Sequence, residues 1–285
     1  AEQYYDFQYT RPAGSTALFA LGPRPGRGAA LPVPWSLVTP ETSARPLSSE
    51  PLEGAAVPAA VLWDMDGTLV DTEPYWMASE HALVSSFGGV WTHEDAMGLV
   101  GSGLPAAARI LQGKGVDLSV DAIIDRMTDE VVDRLAVSIP WRPGALELLR
   151  AVSDAGVPQA LVTMSISRMA AAVVDRIPFP AFAAVVSGDM VERSKPDPEA
   201  YLLAASTLGV DIAACVAIED SLPGLGAAVA SGAAAIGVPH QLELDPAAPY
   251  ALWPTLAGRT VADLASVSSE HRGSGPATTE TEARR

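Results

Sequence analysis

Lysine is almost missing from this sequence of 285 residues: the 18 basic side chains include only Lys114 and Lys195, against 34 aspartates and glutamates. A formal charge of −16 supplies nothing to neutralise a phosphate backbone or an anionic bilayer, so neither nucleic acid nor membrane is expected as a partner. Cysteine is equally scarce. Cys215 stands alone, no intrachain disulfide can form, and a reducing, cytoplasmic setting is expected. No apolar run approaches the ~18 residues of a membrane helix. Ala17 to Leu21 is interrupted at once by Gly22-Pro23, so no secretory signal is expected either. What is present is 48% hydrophobic residues, enough for a substantial core, over a length that suits one or two domains of ~150 residues.

Composition divides the chain. Residues 1–58 hold nine prolines and five glycines without a sustained helical or strand period, which predicts a disordered extension. Tyr4, Tyr5, Phe7 and Tyr9 give that extension an aromatic tip, which a docking segment or an incidental sticky terminus would both explain. From about Val267 to Arg285 the chain is rich in Ser, Thr, Gly and charge and reads as a flexible tail. The acidity belongs to what lies between: residues 59–266 carry 11 basic and 26 acidic residues, a net of −15.

In that body, short apolar runs alternate with helix-length patterns. Ala59–Trp63, Gln159–Thr163, Ala183–Val186, Cys215–Ile218 and Ala233–Val238 read as buried strands. Pro143–Ala155, Ile166–Arg176, Pro198–Leu208 and Leu222–Ala230 read as helices, with Pro143, Pro198 and Pro223 placed where a first turn tolerates proline. The alternation predicts an α/β fold, a Rossmann-like parallel sheet between two helical layers, whose ligands bind at the carboxyl ends of the strands. One gap interrupts it. Residues 74–140 carry only helical patterns: Pro74–Phe87, Thr92–Leu99, Leu104–Gln112 and Val120–Val137. An insertion directly after the first strand overhangs the active edge, so the expected division is a core of 59–73 and 141–266 with a helical cap of 74–140.

The first strand runs into Asp64-Met65-Asp66-Gly67-Thr68-Leu69-Val70-Asp71. Two carboxylates two residues apart at a buried strand end repel one another unless a cation or a proton intervenes. A calcium loop needs a bidentate Glu at its twelfth position, where this chain has Tyr75, and it follows a helix rather than a strand. A solvated turn explains one Asp and the Gly but leaves the second Asp without a use. A nucleophilic carboxylate beside an acid/base carboxyl and a hard metal ion explains both. Further polar groups follow at strand ends in order: Thr163-Met164-Ser165, then Ser194-Lys195-Pro196-Asp197-Pro198, then Glu219-Asp220-Ser221. Singly each is weak; together they converge on one sheet edge.

This ordered set resembles the haloacid dehalogenase superfamily of phosphotransferases. DMDGTLVDTE is similar to its first motif, LVTMS to the second, SKPDP to the third and IEDSLPGLGAA to the fourth, over most of residues 59–266. EPYW after the first motif and SKPDPEAYLLAASTLGVD resemble bacterial sugar-phosphate phosphatases of the 2-deoxyglucose-6-phosphate type. The resemblance implies Asp64 as the nucleophile and Asp66 as the general acid/base. It implies Mg²⁺ held by the Asp64 carboxylate, the Asp66 carbonyl and Asp220, with Glu219 supporting from outside the ligand set. It implies phosphoryl oxygens bound by Thr163, the Met164 N–H and Lys195. Carboxylates alone would repel a phosphate, so the cation and Lys195 are physically required as well.

The implied function is Mg²⁺-dependent hydrolysis of small phosphorylated metabolites, sugar phosphates foremost, by a monomer. A phosphomutase like β-phosphoglucomutase shares the core motifs, but such mutases carry a histidine at the position that aligns with Trp76. Dehalogenation leaves Asp66 without a role, and phosphonate cleavage typically lacks this second Asp. A non-catalytic scaffold docking through the aromatic N-terminus is the remaining alternative, disfavoured because no nucleophile or ligand position is lost. Gly224-Leu225-Gly226 mimics the start of a dinucleotide loop, yet Glu219-Asp220 occupy the strand tip a pyrophosphate would approach. Cys215 reads as core, His81 and His93 lack metal-ligand spacing, and Lys114 reads as a solvated loop residue, with a cap lysine reaching substrate as the lesser alternative.

Overall fold

The computed structural model describes residues 57–99 and 102–273; the expected extension as far as residue 56, with its aromatic tip, and the last twelve residues lie outside that description. Six strands form one parallel sheet: β1 (Ala60–Trp63), β2 (Gln159–Val162), β3 (Ala184–Val186), β4 (Cys215–Glu219), β5 (Ala234–Gly237) and β6 (Ala251–Leu252), in the order β3-β2-β1-β4-β5-β6. The first five are the apolar runs expected from the sequence, and they are apolar because both faces are covered. Along β1, Ala60 and Leu62 face one layer with Ala160, Val162 and Ala217, whereas Val61 and Trp63 face the other with Leu161, Val216 and Ile218.

The two faces differ in bulk. On the first, α7 (Glu199–Leu208) and α8 (Leu222–Ser231) bring Ala200, Ala204, Ala227 and Ala228 against strand alanines, so small residues let the helices sit close. On the second, α5 (Ala145–Asp154), α6 (Ser167–Val174) and α9 (Val261–Gly273) cover Trp63 and its neighbours with Leu148, Leu149, Met169 and Leu264. Helix starts follow local chemistry. The Ser221 hydroxyl accepts the Gly224 N–H at 3.1 Å to cap α8, and Pro223 occupies its first turn. Pro143 differs from expectation: it stands before α5, whose N-cap is Gly144 at φ +84°, where a Cβ would lie 2.3 Å from the Ala257 nitrogen.

Between β1 and α5 lie α1 (Glu73–Ser86), α2 (His93–Met97), α3 (Leu104–Gly113) and α4 (Val120–Val137), with no strand among the described residues there. Their apolar faces (Leu83, Leu111, Ile123, Val131) continue the core on the Trp63 side of the sheet. The chain enters and leaves this helical group side by side: Asp71 N–H donates to Pro140 O and Arg142 N–H to Leu69 O, both at 2.8 Å.

Composition misplaces the end of the fold. α9 runs to Gly273, past the expected start of the tail at Val267. Thr260 and Asp263 cap it reciprocally, and Leu264, Ala265 and Ser268 are buried, so packing holds a segment whose residues look like linker. β6, two residues at the sheet edge, is too short to leave a sequence pattern.

Candidate active site

From β1 the chain steps to β2 and β3 on one side, and β4 opens the run to β5 and β6 on the other. The carboxyl ends of β1 and β4 therefore flank the crevice where strand order reverses, the usual ligand position in an open parallel sheet. The residues singled out from the sequence meet here. Asp64 follows β1, its N–H donating to Ile218 O of β4 at 3.0 Å. Lys195 reaches into the crevice and donates from Nζ to Asp64 Oδ1 at 2.8 Å, Glu219 Oε1 at 2.6 Å and Val162 O at 2.9 Å. Its three protons thus tie together the ends of β1, β4 and β2. Burial would lower the Lys195 pKa, but the Asp64 and Glu219 carboxylates outweigh it and hold the ammonium above the ordinary lysine value.

Glu219 is buried and saturated. Tyr201 Oη donates to Oε1 at 2.9 Å and Ser221 Oγ to Oε2 at 3.1 Å. Gly224 makes room for it, since a Cβ there would stand 1.9 Å from the Glu219 carboxyl carbon. The glycines that imitate a dinucleotide loop therefore let α8 approach a carboxylate. Gly67 does the same for Asp220: its φ is +90°, and a Cβ would lie 2.0 Å from Asp220 Oδ2.

Asp66 has a different environment. Thr72 Oγ1 donates to its Oδ1, while Ser165 Oγ at 2.7 Å and Thr163 Oγ1 at 3.3 Å donate to Oδ2. Burial raises its pKa, opposed by these three hydroxyls and by Lys195. The Thr163 hydroxyl also accepts the Ser165 N–H at 3.0 Å, so it bridges Asp66 to the turn after β2. Met164 lines the cleft beside it, its Sδ accepting the Lys195 N–H at 3.4 Å.

Residues 58–232 match the family model of haloacid dehalogenase-like hydrolases. The chain belongs to that family. It is 34% identical over 189 residues to the phosphorylated carbohydrates phosphatase of Thermotoga maritima, covering 64% of this chain and 86% of that protein. It is 37% identical over 169 residues to the N-acetylmuramic acid 6-phosphate phosphatase of Pseudomonas aeruginosa, covering 57% of this chain and 74% of that one. Among solved structures, a CbbY mutant from Rhodobacter sphaeroides in complex with xylulose-(1,5)bisphosphate aligns with a TM-score of 0.65 at 29% identity, over 70% of this chain and 96% of that chain.

The family implies a divalent cation, and the donors present suit one. Oxygens of Asp64, Glu219 and Asp220 lie within 4.8 Å of one another. Asp64 Oδ2 is buried without a hydrogen-bond partner, whereas both Glu219 oxygens are occupied, which leaves Asp64 and Asp220 as the available carboxylates. Burial, then the Glu219 charge, push Asp64 up to about 7; burial, then Asp64 and Glu219, push Asp220 up as well. A hard cation bound by carboxylate oxygens relieves that crowding.

A cleft of about 210 Å³ opens over these groups. The sheet edge forms one side, and α1 with the start of α3 contributes Glu73, Trp76, Glu80 and Leu104 to the other. Ser102 and Gly103 line it, while Gly101 beside them lies outside the described residues. Lys114 is not among the lining residues. It pairs with Asp95 at 2.6 Å and sits 5.7 Å above the Trp91 ring. Sequence reasoning missed Thr72, Ser165 and Tyr201, which hold the two key carboxylates, and Glu73 and Glu80 on the facing wall. Ser165 had a signal in sharing the strand-end turn with Thr163, and Thr72, Glu73 and Tyr201 lie within the stretches DMDGTLVDTE and SKPDPEAYLLAASTLGVD, whereas Glu80 had none. His240, also in the cleft, has both ring nitrogens engaged: Nδ1 accepts from Arg142 Nη1 at 2.6 Å, so Nε2 carries the proton and donates to Asp71 at 2.8 Å.

Proposed function

We propose that this hydrolase cleaves small phosphate monoesters, sugar phosphates foremost, through an aspartyl-phosphate on Asp64. The observation that carries the proposal is the contrast between two carboxyl groups two residues apart. Asp64 is paired with an ammonium, which favours the ionised nucleophile. Asp66 is held by hydroxyls alone, and a hydroxyl donates to a carboxylate as readily as it accepts from a carboxyl. Such a cradle suits a group that must give up a proton and take one back.

In the proposed sequence an Asp64 oxygen attacks phosphorus while Asp66 protonates the departing alcohol oxygen, leaving an acyl phosphate on Asp64 and an alkoxide-free product. Asp66, now ionised, takes a proton from water as that water attacks phosphorus, and orthophosphate leaves with Asp64 regenerated. Lys195 fixes the orientation of Asp64 and offsets negative charge at the phosphoryl group; Thr163 and the Met164 N–H are the proposed further contacts to phosphoryl oxygens. Asp64, Asp220 and the Asp66 carbonyl would hold Mg²⁺, which supplies Lewis-acid stabilisation of phosphoryl charge when bound. Helices α1–α4 act as the cap that encloses the site.

A phosphomutase reading gains little from this cleft. The position where related mutases place a histidine is Trp76, and His240 is engaged by Arg142 and Asp71. The test is release of inorganic phosphate by purified protein with Mg²⁺ from a panel of sugar and other metabolite phosphates, with Asp64→Asn as control. No release from any ester refutes the proposal; turnover of β-glucose 1-phosphate only with a bisphosphate primer would make the chain a mutase.

A further inference from the structure

The wall opposite the nucleophile is acidic too, and the chemistry proposed above does not use it. Glu73 begins α1 and Glu80 lies seven residues on, nearly two turns and about 10 Å along the same helix face, with Trp76 between them. All three line the cleft. Glu80 is 4% exposed and accepts the Trp91 Nε1–H at 3.2 Å, so its carboxyl is part of a built wall rather than a solvated surface. The same cleft is lined by the apolar side chains of Leu99, Leu104 and Met127. Among the described lining residues the nitrogen-bearing side chains that can carry positive charge are Lys195 and His240. Each is already taken, the first by Asp64, Glu219 and Val162 O, the second by Arg142 and Asp71.

We infer that Glu73 and Glu80 select the end of the substrate away from the phosphate, accepting a neutral hydroxylated chain and rejecting one that carries a second anionic group. This rests on the phosphatase reading and sharpens its substrate class. A carboxylate or second phosphate entering this wall would lose hydration and meet no free cation. A hydroxyl meets no such penalty, because it donates to an ionised glutamate and accepts from a protonated one. Both states matter near neutrality. Burial, then Asp66 and Asp71, push Glu73 up to about 7; burial, opposed by the Trp91 bond and reinforced by Glu73, pushes Glu80 up to about 8.

Glucitol 6-phosphate and 6-phosphogluconate test this directly, since they differ only in whether the far carbon is an alcohol or a carboxylate. The expected kcat/KM for the alcohol exceeds that for the acid by at least about tenfold, and the combined Glu73→Gln and Glu80→Gln variant narrows the ratio. Should that variant not fold, Glu73→Gln alone, at the half-buried start of the helix, is expected to narrow it in part. Equal kcat/KM for the two esters, or an unchanged ratio in a variant with native circular dichroism, overturns the inference. Calorimetric binding of both esters to Asp64→Asn with Mg²⁺ separates selection from catalysis. Discrimination in binding without turnover by the native chain sinks the phosphatase reading and leaves the selection standing; neither binding nor turnover overturns both.

Discussion

Lys195 is the cation on which two buried carboxylates depend, and Lys195→Met isolates its contribution. Its side chain is 5% exposed, Asp64's 10% and Glu219's 1%, so solvent screens these pairs little. Methionine preserves most of the stem and removes three hydrogen bonds together with the charge. Breaking a buried pair by deleting one partner costs about 3–5 kcal/mol, a large share of the roughly 5–15 kcal/mol that stabilises a domain. The loss should depend on pH with a definite sign. Without the ammonium, Asp64 is held further above its unfolded pKa than at present, where burial and the Glu219 charge already push it up to about 7. Stability from such groups is complete below the unfolded pKa and is lost as pH rises through the folded one. Urea unfolding of both chains at mildly acidic and mildly alkaline pH, without added metal, measures this: the deficit of the variant should be smaller in acid. Saturating Mg²⁺ should recover part of the deficit. A variant as stable as the native chain, or a deficit of the same size at both pH values, would refute the reasoning.

Three other outcomes are expected. Asp66→Asn should lower turnover of a sugar phosphate by about 10²–10⁴-fold, and lower that of p-nitrophenyl phosphate less, because its leaving group needs no proton; steady-state rates on both esters check this. Mg²⁺ should raise the thermal midpoint of the native chain in proportion to the logarithm of its concentration, and Asp220→Asn should abolish most of the shift, as differential scanning fluorimetry would register. Gly224→Ala places a methyl group against the Glu219 carboxyl carbon and should destabilise by about 1–3 kcal/mol while reducing activity, read by urea denaturation and phosphate release on the same preparation.

The strands were legible because a parallel sheet is covered on both faces. Burial on two sides favours apolar residues along the strands, and β1 to β5 show it as apolar runs broken only at the ends of β2 and β4, where Gln159 and Glu219 are buried with hydrogen-bond partners. Boundaries set by packing were not legible. α9 passes into residues of linker-like composition because Leu264 and Ser268 find a place under the sheet, which local propensity does not record. Glu80 gave no signal, since a glutamate in a helix ordinarily faces water, whereas here it is buried and accepts the Trp91 N–H.

The sequence by itself determined which groups have chemistry to offer and at which strand ends they stand. Asp64, Asp66, Lys195, Glu219 and Asp220 each follow or end a recognisable strand or loop, and in a chain with two lysines Lys195 stands out by its rarity alone. Tertiary structure alone decided who pairs with whom. Lys195 meets Asp64 across 131 residues and His240 meets Asp71 across 169. Ser165 meets Asp66 across 99 residues, and Tyr201 reaches Glu219 only because α7 packs against the sheet. Spacing along a chain constrains neighbours within a helix turn or a strand pair, whereas a pairing over such separations depends on the whole packed sheet.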